Sequence, residues 1–95
     1  MTAITFTIRR ASAGDSAAIA RLATLDSATP PAGELILGEV GDELWAAVEI
    51  DSGSAIADPF RPSGDIVELL KLRAKMMRRD VEAPRRGLRL LPRVA

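Results

Sequence analysis

Three groups of residues have the types and spacing to do chemistry. Arg61 and Gly64 bracket Pro62-Ser63 at the start of a predicted helix. A cation beside a helix N-terminus can hold a phosphate or carboxylate, because unpaired backbone N–H groups and the helix dipole both favour an anion. The plainer reading is a stiff corner in which Ser63 caps the helix. Asp58 and Glu49 offer a pair of carboxylates for acid–base work, which requires burial or a neighbouring charge to perturb one of them. The plainer reading there is a turn residue and a solvated strand residue. Arg85, Arg86, Arg89 and Arg93, among Leu88, Leu90 and Leu91, suit RNA, an anionic membrane surface or an acidic partner. No aromatic residue interleaves these arginines, so a nucleic acid would be held through phosphates and not stacked bases. The alternative is a solvated terminus.

What is missing narrows the chemistry further. The chain has no His, Cys or Tyr. That removes the commonest general base and metal ligand, thiolate chemistry and the phenolic acid, and no metal site is expected. Residues 1–7 lack the basic start and long apolar run of a signal peptide. No apolar stretch approaches a membrane span, so a cytoplasmic protein is expected. Zero net charge hides an asymmetry. Residues 1–70 hold four basic and eleven acidic side chains, whereas residues 71–95 hold nine basic and two acidic ones. An acidic body with a basic end points to an interaction segment or to a tail folding back on the body. The preference for Arg over Lys, with many Ala, Pro and Gly, fits a GC-rich bacterial genome.

The elements that position these residues follow from periodicity. A 95-residue chain makes one domain with a modest core, burying about 60–65% of its unfolded surface. Residues 4–9 alternate, with Ile4, Phe6 and Ile8 toward the core and Thr5, Thr7 and Arg9 away, which predicts an edge strand. Ser12 and Asp15 form a capping-box pattern before a helix carrying Ala18, Ile19, Leu22, Ala23 and Leu25 at helical spacing to about Asp26. Pro30-Pro31 stiffens the following loop. Residues 34–60 then read as a three-stranded meander, with a Gly41-Asp42 turn and an Asp51-Ser52-Gly53 turn. Apolar residues on both strand faces predict a sheet covered by a helix on each side. Trp45 is expected to pack under a helix. A second helix from near Ser63 carries a stripe of Ile66, Leu69, Leu70 and Met77 and ends near Arg79 or Asp80. Residues 81–95 are read as a flexible basic tail, because a short segment flanked by Pro84 and Pro92 holds no helix alone. The fold class is α+β, β-α-β-β-β-α, with a four-stranded antiparallel sheet between two helices.

This order resembles the N-terminal half of a GCN5-related N-acetyltransferase (GNAT) domain. The resemblance rests on Ile8-Arg9-Arg10-Ala11-Ser12-Ala13-Gly14-Asp15, then Ile19-Ala20-Arg21-Leu22, and on the Leu35–Val40 and Leu44–Ile50 hairpin. It covers residues 4–60 and implies a GNAT-like domain over 1–80. It further implies an acetyl-CoA site, a Q/R-x-x-G-x-G/A segment whose backbone wraps the pyrophosphate. Arg61 and Gly64 match its first two motif positions, and Ile66 stands where the last glycine or alanine belongs. Pro62 removes a donor, and Asp58, Asp65 and Glu68 bring negative charge. The family's later elements have no counterpart in residues 67–95. The resemblance therefore implies a shortened domain with a degenerate acetyl-CoA site, no cofactor, and a role in binding a protein partner or a second copy. The alternatives are an acetyl-CoA-dependent N-acetyltransferase whose cleft a partner or second copy completes, and RNA or anionic-lipid binding through the tail.

Overall fold

The computed structural model describes residues 5–94, with side chains described over 5–80. The elements are β1 (Phe6–Arg10), a short 3-10 turn (Ala13–Asp15), α1 (Ser16–Leu25), β2 (Leu35–Val40), β3 (Glu43–Glu49), β4 (Ala55–Ala57) and α2 (Gly64–Val94). The strands form one antiparallel sheet in the order β1-β2-β3-β4. The class is α+β, as the periodicity predicts. Among the described residues, no helix is long and apolar enough to cross a membrane. Ile4 and the other residues before Thr5 lie outside the described part.

Two apolar clusters sandwich the sheet. On one face Ile19, Leu22 and Ala23 of α1 pack on Leu35, Leu37, Ala47 and Ile56. On the other, Leu70 and Ala74 of α2 pack on Ile36, Ala46, Val48 and Ile50. Alternate residues of β2 and β3 thus feed opposite clusters, as a strand's two-residue period requires. The small Ala46 and Ala47 are fully buried and let both helices lie close.

Gly38 sets how close α2 comes. A β-carbon there would lie 2.7 Å from Ile66 Cγ2 and 3.2 Å from Leu70 Cδ1. The seat of α2 on β2 is therefore open only to glycine. Ile66 turns down into this contact, so it does not screen the α2 N-terminus as its branched side chain suggests from sequence.

Three other expectations are corrected. Phe6 and Ile8 stay 39% and 37% exposed, because α2 packs over β2, β3 and β4. Leu69, read as part of the core stripe, is exposed on the flank of α2. Trp45 is only half-buried, since it sits at a β-bulge: Gly38 opposes Ala46 and Glu39 opposes Leu44, leaving Trp45 unpaired. The bulge resets the alternation, so Leu44 joins the α1 cluster and not the α2 cluster. The backbone of α2 continues past Arg79 and Asp80 to Val94. The separate-tail reading of 81–95 rests on side chains outside the described ones.

Overpacking at a closed contact costs about 1–3 kcal/mol. Gly38→Ala should lower the unfolding free energy by that amount in a denaturant titration, and adding Ile66→Ala should recover part of it. An unchanged midpoint for Gly38→Ala would contradict the close seat of α2. Leu70→Ala, at a fully buried position, should cost about 2–5 kcal/mol.

Candidate functional site

The corner between β4 and α2 is closed by its own hydrogen bonds. Asp58 N–H donates to Trp45 O at 2.9 Å, extending the β4 ladder. Asp58 Oδ1 accepts from Phe60 N–H at 2.8 Å. Ser63 Oγ donates to Asp58 O at 3.0 Å. Ser63 is buried and stands just ahead of α2, and its carbonyl accepts from Val67 N–H at 2.9 Å. The Ser63 hydroxyl thus ties α2 back to β4 and makes no side-chain cap on the helix. Phe60 does not fill this corner; it is 80% exposed.

Arg61 and Gly64, the anion-binding pair expected from sequence, are placed differently. Arg61 Nη2 donates to Glu43 Oε2 at 2.8 Å. Its guanidinium also lies 5.6 Å from the centre of the Trp45 ring. Trp45 Nε1 in turn donates to Glu43 Oε1 at 3.2 Å. Glu43 therefore bridges Trp45 and Arg61 and neutralises the cation. Gly64 opens α2 on the surface with nothing within 4 Å of a β-carbon, so no steric demand explains the glycine. Arg85, Arg86, Arg89 and Arg93 lie outside the described side chains.

Asp58 and Glu49 are not a pair. Asp58 follows the lower end of the β3–β4 ladder, beside Trp45. Glu49 lies at the other end, where its Oε1 accepts from Ser52 Oγ in the turn. Both keep the plainer roles.

The strongest charge cluster lies where no motif marks it. Arg9 makes a two-pronged bond to Asp15, with Nη1–Oδ2 at 2.9 Å and Nη2–Oδ1 at 2.7 Å. Its Nε donates to Glu39 Oε1 at 2.9 Å. Asp15 Oδ2 also accepts from Ser12 N–H at 2.7 Å. Arg9 thus joins β1 to the turn before α1 and to β2. The Arg9 guanidinium and then the Ser12 N–H hold Asp15 well below the usual carboxylate range. Asp15 and Glu39 push Arg9 above its ordinary value. The sequence signal for this cluster is the stretch Ile8–Asp15, which holds Arg9, Ser12 and Asp15 but says nothing of Glu39.

Arg9, Asp15, Glu39, Glu43, Asp58 and Arg61 all line one cleft of about 190 Å3 on the α1 face. Arg9 and Arg61 are both paired within it. Among the described residues no three acidic groups converge to hold a metal ion. Arg21 and Asp42 also line the cleft, outside the ion pairs that hold Arg9 and Arg61. No family model matches this chain, and neither curated proteins nor solved structures give a significant match.

A carboxylate held below its ordinary value stabilises the fold above the unfolded-chain value of about 4 and loses that contribution as pH falls through the folded value. Asp15→Asn should therefore lower the thermal midpoint at neutral pH. The gap to the parent should narrow as the pH falls below about 4. A gap independent of pH would show that Asp15 acts through shape and not charge.

Proposed function

We propose that this chain is a small GNAT-like module that lacks acetyltransferase activity and acts by binding another protein chain. The observation that carries this reading is the pairing of Arg61 with Glu43 under the Trp45 contact. The segment that the resemblance implies wraps a pyrophosphate with backbone N–H groups next to the position of Arg61. Here a carboxylate already holds Arg61, and Asp42, Glu43 and Asp58 line the same cleft. Bringing a pyrophosphate there would oppose several negative charges, so the residues present do not suit acetyl-CoA. Gly64 supplies the open helix start that such a site uses, but Pro62 withholds a donor beside it.

Support for a binding role comes from what stays exposed. Phe6, Ile8, Phe60, Leu69, Leu72 and Met76 are large, apolar and at least one-third accessible. In a small domain, apolar side chains that could have been placed inside mark surfaces that association would cover.

Calorimetric titration with acetyl-CoA should give no saturable heat for the parent chain. Low-micromolar binding, abolished by changing Arg61 or Gly64, would overturn the reading in favour of an acetyltransferase.

A further inference from the structure

The free edge of β1 carries an exposed apolar face that α2 leaves uncovered. Thr5 O accepts from Gly41 N–H, and Ala11 N–H donates to Leu35 O. In an antiparallel pair the bonded residues alternate, so the odd-numbered residues of β1 bond to β2. The N–H and C=O groups of Phe6, Ile8 and Arg10 therefore point outward from the sheet. Ile8 lies opposite Gly38, beneath α2, so the same three residues carry their side chains on the α2 face. All three are exposed.

The wall of this face is α2. Ile66 is turned toward β2 at Gly38. Leu69 and Met76 follow it by three and ten residues, which places them on one flank of α2. They are 48% and 47% exposed. The edge carries neither the proline nor the bulge that commonly blunts exposed strands. Its Arg9 is turned to the α1 face and already paired.

We propose that β1 pairs antiparallel with β1 of a second copy of this chain about a two-fold axis at Ile8. This deepens the protein-binding reading and rests on it. A two-fold contact must be self-complementary, and this edge is. Centred on Ile8, the register sets Ile8 against its equivalent, Phe6 against Arg10, and Thr7 against Arg9 of the second copy. No like charges oppose each other, and each Arg10, its guanidinium held by Glu34 at 2.7 Å, comes opposite a Phe6. The Ile8 residues exchange N–H···O bonds. The Arg10 carbonyl accepts from Arg9 Nη1 at 3.3 Å and keeps a second lone pair for the Phe6 N–H across the axis. Phe6 and Ile8 of both copies then form one continuous apolar surface, adding burial to the strand pairing.

Sedimentation of the full chain at about 100 μM, enough to populate a micromolar dimer, should give a dimer. Ile8→Lys sets two cations face to face and should give a monomer with unchanged far-ultraviolet dichroism, as should Ile8→Glu. Mixing the two variants should restore a dimer containing one of each. Hydrogen exchange at the Phe6, Ile8 and Arg10 amides should be slow in the parent and at least ten-fold faster in Ile8→Lys. A monomeric parent overturns the inference. If its Ile8 amide is then slow to exchange, the chain's own terminal residues cover the edge; if fast, the edge is bare. A dimer that persists in Ile8→Lys also overturns it, by placing the interface elsewhere. A monomeric result leaves the acetyl-CoA titration as the separate test of the non-catalytic reading.

Discussion

The seat of α2 on Gly38 is the contact on which the rest of the structure depends. A helix can approach a sheet this closely only where the strand residue has no side chain. Ile66 and Leu70 fill the space a β-carbon would take, and Leu70 and Ala74 then complete the second core cluster. With α2 held over β2, β3 and β4, the β1 end of that face is left open. The exposure of Phe6 and Ile8 follows from where the helix sits and not from any polarity of β1.

On the opposite face an ion-pair cluster adds to the apolar packing of α1. Arg9 draws Asp15 and Glu39 to one point, so β1, the turn before α1 and β2 are tied by charge-assisted bonds. The Glu43–Trp45–Arg61 group does the same at the other end of the cleft, but its ion pair is about half exposed and contributes only about 0–1 kcal/mol. Its consequence is chiefly chemical, since it occupies the cation that an anionic ligand would need. The bulge makes this arrangement possible by releasing Trp45 from the ladder and turning it toward Arg61.

Much of the fold was legible because it rests on period. Leu35–Val40 and the Leu44–Ile50 run alternate, Ile19, Leu22 and Ala23 recur at helical spacing, and the turn residues fall where the hairpins need them. Three features were not legible. The bulge at Trp45 leaves no mark on composition, yet it turns Leu44 to the face opposite Ala46. The lateral placement of α2 depends on Gly38, and an isolated glycine in a strand signals a close approach without saying by what. Glu39, the second partner of Arg9, and Glu43, the partner of Arg61, lie 30 and 18 residues away in sequence, beyond the reach of any local pattern. The matched positions Arg61 and Gly64 show the limit of motif reading: the residue types are present, and Glu43 and Trp45 decide what Arg61 does.

The account turns on α2 being seated at Gly38 with β1 left uncovered. Nuclear Overhauser contacts in the full chain test this most directly. A strong cross-peak between the Ile66 γ2 methyl and the Gly38 α-protons is expected, with none between the Leu70 methyls and the Phe6 ring. Loss of the Gly38 contact, with Leu70 instead close to Phe6, would place α2 over β1 and contradict the account.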